Sequence, residues 1–410
     1  MSKVRPFKAL RPEVQFAKQV ASRPYDVLNS AEAKVEVQGN PHSFLHITKS
    51  EVSLPDDIDI HSVSVYEKAK ENLDAFISRN ILFQDNKECF YIYQLIMNDR
   101  SQTGLVCVSS VDDYENDIIK KHEFTRPEKE LDRINHIKTT GAQTGNVFLA
   151  YRNVTEMDDL IEKWKTNKNP VYNFTADDNI QHTIWVINED EVIENIKTIF
   201  EERIPCTYIA DGHHRAASAA KVRASFEDKA TEESNYFLTT LFPSNQLAIL
   251  DYNRVVTDLN GLSVEEFFTK LNEKFDISLV GDKAFKPTEL HEIGLFIDKK
   301  WYKLVAKENT YTIDPIGVLD ISILQNNIFT PILNIIDQRT DKRVDFIGGI
   351  RGFGELEKRV NSGEMVAAFS LYPVTINQLF DIADTGNVMP PKSTWFEPKL
   401  RDGLLTHLIY

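Results

Sequence analysis

The stretch YIADGHHRAASAAKV, residues 208–222, decides how the middle of this chain folds. Its first three residues are typical of the end of a short buried strand. Small residues from Ala216 to Ala224 beside Val222 predict a helix packed closely on a sheet. Between strand and helix lie an acid, a glycine, two histidines and an arginine, Asp211 to Arg215. The sequence therefore predicts a strand, a tight turn and a helix, with five chemically active residues on the turn.

This turn has the composition of an anion site. A loop that enters a helix presents unpaired backbone N–H groups and the positive end of the helix dipole, and both favour phosphate. Gly212 lets the backbone approach a ligand, and Arg215 can bind phosphate oxygens through two hydrogen bonds. His213 and His214 can donate hydrogen bonds or transfer protons. Asp211 would repel phosphate, so it suits a general base for a hydroxyl or a ligand for a nucleotide's Mg²⁺.

Two other interpretations of the turn stay open. Asp211 could cap the helix while the histidines are ordinary surface residues of its first turn, since Asp is common at that position. The histidines could instead bind a metal ion, although adjacent residues rarely point at one ion.

Composition limits the partners of this 410-residue chain. A formal net charge of −15 and a pI near 5.2 argue against duplex nucleic acid, because non-specific phosphate binding needs a basic face. A small phosphorylated metabolite or a nucleotide needs only a local basic pocket. The start shows no apolar signal segment and no run spans a bilayer, so we expect a cytoplasmic protein without a membrane partner. Composition says nothing about the oligomeric state.

The order of the predicted elements indicates an α+β fold. Strands and helices mix irregularly, which favours this class over a regular doubly wound sheet. The first part is predicted to contain a helix over 63–80, a hairpin over 88–111, a strand over 182–187, a helix over 190–202, a strand over 206–210 and a pair of strands over 236–243 and 247–256. The pattern then restarts with a helix from residue 263, short strands near 293–298, 301–306 and 310–313, and two strand–helix pairs. We place the boundary at residue 258, which gives domains 1–258 and 259–410.

A charged run at residues 122–133 is the second candidate site. It contains Glu123 and Arg126 and begins with His122-Glu123, but the second histidine of H-E-x-x-H is missing, so a zinc protease is excluded. A run of this charge is usually the solvated face of a helix.

The stretch MPPKSTWFEPKL at residues 389–400 is the third. Lys392, Ser393 and Lys399 could form a phosphate-binding loop, although the glycines of a P-loop are missing. The alternative is a turn packed by Trp395 and Phe396.

Four segments resemble, in this order, the family of proteins of unknown function numbered 1015 (DUF1015). They are PFKALRPE with VASRPYDVLNSAEA, IKKHEFTRPEKELDR, YIADGHHR and MPPKSTWFEPKLRDGL, and they extend from about Pro6 to Leu404. The D-G-H-H-R turn also resembles the ParB/sulfiredoxin superfamily, where such a turn lies at a helix N-terminus and binds nucleotide phosphates. It is similar to that of the free serine kinases, which phosphorylate L-serine with ADP or ATP.

This resemblance implies a ParB/sulfiredoxin-like core, with a last motif that returns to close the site. The implied function is phosphoryl transfer on a free amino acid of the serine type, as serine kinase or phosphoserine phosphatase, with Mg²⁺ and ADP or ATP. The implied catalytic residues are Asp211, His213, His214 and, as candidate for the kinase's separate glutamate, Glu123. The implied phosphate- or nucleotide-binding residues are Gly212, Arg215, Arg126, Lys392, Ser393 and Lys399. The alternative is a ParB-like regulatory or nucleic-acid-binding module that uses nucleotide without catalysis.

Overall fold

A computed structural model describes residues 1–226 and 231–410 of the chain. The chain divides into two compact units, Met1–Leu247 with Pro398–Tyr410, and Ala248–Glu397. The sequence predicted that the second domain begins at residue 259, whereas the second unit begins eleven residues earlier, at Ala248. Helices and several sheets are mixed in the chain, which confirms the α+β class. The ParB/sulfiredoxin-like core stays a prediction.

The regular elements are numbered in chain order. The strands are β1 (Val4–Arg5), β2 (Leu10–Pro12), β3 (Leu82–Gln84), β4 (Phe90–Met97), β5 (Arg100–Ser110), β6 (Ile119–Lys120), β7 (Ala142–Gln143), β8 (Val147–Tyr151), β9 (Tyr172–Thr175), β10 (Gln181–Ile187), β11 (Thr207–Asp211), β12 (Tyr236–Pro243), β13 (Ile249–Leu250), β14 (Tyr252–Val256), β15 (Phe275–Gly281), β16 (Glu292–Ile297), β17 (Lys300–Ala306), β18 (Val344–Gly348), β19 (Ala367–Leu371), β20 (Trp395–Phe396) and β21 (His407–Leu408). The helices are α1 (Ala17–Val20), α2 (Ser30–Glu36), α3 (Leu45–Thr48), α4 (Val63–Ser78), α5 (Val111–Glu115), α6 (Pro127–Thr140), α7 (Thr155–Asn167), α8 (Asp190–Arg203), α9 (His213–Ser225), α10 (Val264–Leu271), α11 (Asp320–Leu324), α12 (Phe353–Asn361) and α13 (Ile376–Asp384).

The first unit is built on a mixed sheet. Its strands follow the order β6-β11-β8-β12-β5-β4-β10-β9, and β1 pairs with β5. The predicted hairpin is confirmed, because β4 and β5 pair in antiparallel register from Tyr91 opposite Val106 to Met97 opposite Arg100. Strand β8 runs antiparallel to β11 and parallel to β12. The register of β11 against β8 shifts before Asp211, so Asp211 lies at an irregularity at the carboxyl end of the strand.

Helix α9 follows β11 directly, which confirms the predicted strand–turn–helix. Gly212 precedes the helix with φ of 97°, a backbone conformation that glycine adopts without a steric penalty. Ala216, Ala219 and Ala220 are buried in the hydrophobic core beneath the sheet, and their small side chains let the helix approach closely. Helix α6 packs against α9, so the segment before α6 lies near the first turn of α9.

The second unit contains an antiparallel sheet with the order β15-β17-β16-β19-β14-β18. Helix α12 packs on this sheet through Leu356, and the core beneath it includes Val255, Trp301 and Ala368. The strand–helix pairs predicted near the end of the chain are confirmed as β18 with α12 and β19 with α13.

One strand prediction is wrong, and one predicted pair of strands is divided between two sheets. Residues 310–313 form no strand, because the β16–β17 hairpin ends at Ala306 and Ile313 is 92% exposed, with no sheet to cover it. The strands predicted over 236–243 and 247–256 do not pair with each other. Strand β12 joins the first sheet and β14 the second, because an apolar pattern identifies a strand without choosing its partner.

None of the helices in the described ranges combines the length and apolar character needed to cross a bilayer.

Candidate functional site

Asp211 faces two cations at the end of β11. Its Oδ2 accepts a hydrogen bond from Lys399 Nζ at 3.0 Å and lies 3.7 Å from Arg215 Nη2. The N-cap position of α9 belongs to Gly212, and this helix, which lies within the described residues, has no side-chain cap. Asp211 is therefore an ion-pair residue, in contrast to the capping interpretation.

The environment of Asp211 decides its protonation. Burial raises the pKa of the Asp211 carboxyl, but Lys399 and Arg215 outweigh burial and hold the pKa below its usual value. Asp211 thus stays ionised at neutral pH, and a carboxylate with so low a pKa is a weak base.

The residues around Asp211 do not fit a Mg²⁺ site. Two neighbouring cations oppose a divalent ion, and the described residues contain no group of three or more His, Cys, Asp or Glu that could hold a metal. These residues also provide no third ligand for a metal ion bound by the adjacent His213 and His214.

Arg215 lies beneath the turn, where it binds protein groups. Its Nη2 donates to Asp26 Oδ2 at 3.0 Å and its Nη1 donates to the backbone oxygen of Asn146. It lines a cavity of about 30 Å³, which has room for little more than water. Direct binding of phosphate by Arg215 would require its ion pair with Asp26 to open.

His213 is enclosed by the segment that precedes α6. Its Nε2 accepts a hydrogen bond from the backbone N–H of His122 at 3.4 Å, so Nδ1 carries the proton. This Nδ1 lies 4.0 Å from Glu123 Oε2. Burial, with His122 second, holds the pKa of His213 well below its usual value, so the ring is neutral. His213 is therefore a buried neutral donor directed at a carboxylate, and not a surface residue.

His122 packs edge-on against His213, with ring centroids 4.5 Å apart. Both of its ring nitrogens are buried without a hydrogen-bond partner in the described part of the chain, and burial lowers its pKa to about 4. The sequence reasoning placed His122 in the charged run and gave it no role.

His214 is tied to the start of α6. Its Nε2 accepts a hydrogen bond from the backbone N–H of Arg126 at 3.0 Å, which leaves the proton on Nδ1. Burial, followed by Lys129, lowers the pKa of His214. Glu123 and Arg126, 88 or more positions away in sequence, thus both lie beside the turn.

Lys392 and Ser393 belong to the second unit, whereas Lys399 belongs to the first. Arg254 donates to the backbone oxygen of Lys392 at 2.9 Å, and Ser393 Oγ donates to Pro390 O at 2.6 Å. Lys392 adopts a φ of 57°, which is uncommon outside glycine. A role for Lys392 and Ser393 in phosphate binding stays a prediction.

Sequence reasoning missed two carboxylates that surround Arg215. Asp26 pairs with Arg215 directly, and Asp402 is buried close enough for their charges to interact. Burial raises the pKa of Asp402 to about 7, although Arg215 lowers it. Asp26 lies inside the segment VASRPYDVLNSAEA and Asp402 inside MPPKSTWFEPKLRDGL, so the carboxylates within the matching segments were the available signal.

Comparison with known proteins identifies a family. The family model described as "Protein of unknown function (DUF1015)" matches residues 4–322. A search of curated proteins found no match.

Several solved structures show a weak likeness. A mutant of free serine kinase in complex with AMP is 11% identical, with a TM-score of 0.37, over 73% of this chain and 92% of that chain. A conserved hypothetical protein from Pyrococcus furiosus is 13% identical, with a TM-score of 0.36, over 75% and 97%. SbnI with a C-terminal truncation from Staphylococcus aureus is 8% identical, with a TM-score of 0.40, over 72% and 85%. At these TM-scores the likeness assigns neither fold nor function to this chain.

Proposed function

This chain belongs to the DUF1015 family of proteins of unknown function, and we propose that it transfers a phosphoryl group to or from a free amino acid of the serine type. The observation that supports the proposal most is the convergence of the D-G-H-H-R turn, the 121–126 segment and Lys399 at the start of α9. Three stretches far apart in sequence thereby place cationic, imidazole and carboxylate groups at a helix N-terminus.

The phosphate would bind at the first turn of α9. The backbone N–H groups of His213 and His214 begin the helix, where the helix geometry leaves such groups without intrahelical acceptors. Lys399 supplies positive charge beside Asp211. His214 offers a proton on Nδ1 because its Nε2 already accepts a hydrogen bond. Arg215 would support this turn from below and would bind phosphate itself only if Asp26 releases it.

Glu123 is the better proton acceptor of the two predicted carboxylates. Its side chain is 45% exposed and lies next to the protonated Nδ1 of His213. Asp211, in contrast, is held ionised by Lys399 and Arg215. Asp26 is a third carboxylate at the site, and its ion pair with Arg215 suits a role in positioning.

In the kinase direction, the serine hydroxyl oxygen forms a bond to the terminal phosphorus of ADP or ATP. The bond from that phosphorus to the nucleotide oxygen breaks, and the hydroxyl proton passes to Glu123. In the phosphatase direction, the oxygen of a water molecule forms a bond to phosphorus and Glu123 takes a proton from that water. The bond from phosphorus to the serine oxygen breaks, and the serine oxygen receives this proton from Glu123. In both directions, positioning and charge neutralisation would supply most of the rate enhancement.

A direct assay tests the proposal. The full chain is incubated with O-phospho-L-serine and Mg²⁺, alone or with AMP or ADP, and serine, phosphate, ADP and ATP are measured. Formation of serine with ADP or ATP supports a kinase, and formation of serine with free phosphate supports a phosphatase. If no arm yields serine and L-serine with ADP or ATP yields no phosphoserine, the proposal is wrong. Nucleotide binding without turnover would then favour the regulatory alternative.

A further inference from the structure

A cleft of about 620 Å³ lies in the first unit, and none of its lining residues belongs to the site described above. Its volume is in the range of sites for small molecules. Basic and acidic side chains both line it: Lys18, Arg23, Arg401, Glu36, Asp177 and Asp178. Such mixed charge suits a zwitterion better than a polyanion.

Arg401 is a buried cation of this cleft, with a side chain that is only 6% exposed. Its Nη2 donates to Asp178, and its Nε donates to His182 Nε2 at 3.3 Å. His182 Nδ1 in turn donates to Tyr93 OH at 2.8 Å, and that hydroxyl also accepts from the backbone N–H of Arg401 at 3.3 Å. Burial, with Arg401 second, lowers the pKa of His182 to about 3, so the ring is a neutral acceptor.

This network leaves one group of Arg401 for a ligand. The described residues provide hydrogen-bond partners for Nε and Nη2 of Arg401 and none for Nη1. A buried guanidinium that lines a cleft with an unused N–H group is suited to a carboxylate, which it binds in a fixed geometry.

Two chain segments each carry a residue that lines the cleft and a carboxylate that faces Arg215. Ser22 and Asp402 exchange backbone hydrogen bonds of 3.1 and 2.9 Å, which join the two segments. Arg23 and Arg401 line the cleft, while Asp26 and Asp402, a few residues further on, face Arg215. Arg401 and Asp402 are consecutive, so the Cα atoms of a cleft residue and of a residue that faces Arg215 are about 3.8 Å apart.

We propose that this cleft binds the amino-acid part of the substrate, with its α-carboxylate on Arg401 Nη1. The ammonium group would lie against the acidic side of the cleft, where Asp177 and Glu36 already pair with Lys18 and Arg23. This inference rests on the proposed phosphoryl transfer for the identity of the ligand, whereas the carboxylate contact is independent of it.

Binding of matched ligands to the full chain tests the contact. Equilibrium affinities are measured calorimetrically for O-phospho-L-serine, L-serine and O-phosphoethanolamine, which lacks the carboxylate. We expect phosphoserine to bind about 10- to 150-fold more tightly than phosphoethanolamine, the range of one charge-assisted contact. Arg401→Gln should abolish this preference and leave phosphoethanolamine unchanged. Lys18→Gln, at a cleft position with an exposed side chain, is the control and should keep most of the preference.

Equal affinities in the wild type, or an unchanged preference in Arg401→Gln, would overturn the inference. If Arg401→Gln does not fold, as judged by circular dichroism, Ala21→Phe fills the cleft without removing a charge. This variant should weaken phosphoserine and L-serine binding more than phosphoethanolamine binding, because phosphoethanolamine has no carboxylate contact to lose. An unchanged phosphoserine affinity would contradict the proposal.

The outcomes separate this inference from the proposed function. Turnover of phosphoserine without any preference for the carboxylate would reject the cleft and keep phosphoryl transfer. Carboxylate-dependent binding of L-serine without turnover would keep the cleft and reject phosphoryl transfer.

Discussion

Glu123 and Asp211 offer the proposed reaction two carboxylates with different surroundings. Glu123 is half exposed beside His213, and Asp211 is bound to Lys399. We expect Glu123→Gln to lower kcat by about 10²–10⁴, the range for a lost acid–base group, without a change in melting temperature. Asp211→Asn should lower kcat far less and should lower the melting temperature, because its ion pair with Lys399 is weakened.

Steady-state kinetics and thermal unfolding of both variants check this prediction, with the exposed Glu128→Gln as the control. The opposite pattern, a large loss of kcat in Asp211→Asn alone, would assign the proton transfer to Asp211.

Substitution of Arg215 shows whether this buried cation stabilises the folded site or binds the ligand. Its removal leaves Asp26 without its ion-pair partner and leaves Asp211 with Lys399 alone. We therefore expect Arg215→Ala to lower the free energy of unfolding by about 2–3 kcal/mol, near the low end for a broken buried pair because Asp26 is partly exposed. Urea unfolding measures this loss. Weakened phosphoserine binding at unchanged stability would instead show that Arg215 contacts the ligand and contributes little to the fold.

The ionisation of Asp402 should make the stability of the fold depend on pH. Burial raises its folded-state pKa to about 7, with Arg215 opposing and Asp26 reinforcing the shift, while the unfolded chain releases this proton near pH 4. The folded state then holds more protons between about pH 4 and 7, so this group's contribution to stability falls as the pH rises through that window. Asp402→Asn, which cannot ionise, should gain about 2–3 kcal/mol relative to wild type between pH 5 and pH 8.

Urea unfolding at the two pH values checks this, with Asp57→Asn at an exposed position as the control. Parallel pH dependences for wild type and Asp402→Asn would contradict it.

The turn before α9 depends on a glycine. Gly212 has a φ of 97°, and a Cβ there would lie 3.4 Å from Arg215 Cζ and from Val147 Cα, in ordinary contact. We expect Gly212→Ala to cost about 1–2 kcal/mol in stability through its backbone conformation. A displaced turn should also weaken phosphoserine binding about 10-fold, which corresponds to the loss of one charge-assisted hydrogen bond from the first backbone N–H groups of α9 to the phosphate.

Gly39→Ala is the matched control, because Gly39 also has a positive φ, of 74°, and no atom within 4 Å of an added Cβ. It should lose similar stability in urea and bind phosphoserine like the wild type. Equal losses of phosphoserine affinity in both variants would show that the turn is not part of the binding site.

The chain as a whole is acidic, with a formal net charge of −15. We expect binding to random duplex DNA at physiological salt to be weaker than about 10⁻⁶ M, the tighter end of non-specific affinity, because counterion release needs a basic face. Fluorescence anisotropy over a salt series measures it. A sub-micromolar complex with a steep salt dependence would support the regulatory module.

The sequence determined the elements whose signals are local. The 208–222 stretch predicts strand, turn and helix, since small residues at helical spacing follow a short apolar run and Gly212 permits the turn between them. The β4–β5 hairpin and α4 were predicted for the same reason, as their alternation and helical period lie within a few residues.

Only the tertiary structure decided what these elements meet. Lys399 binds Asp211 across 188 positions, and Asp26 binds Arg215 across 189. No local pattern encodes such partners, because they are chosen by the sheet order and by the return of residues 398–410 to the first unit. The same return places Arg401 in the cleft and Asp402 beside Arg215, so the charges around the candidate site follow from packing between distant segments.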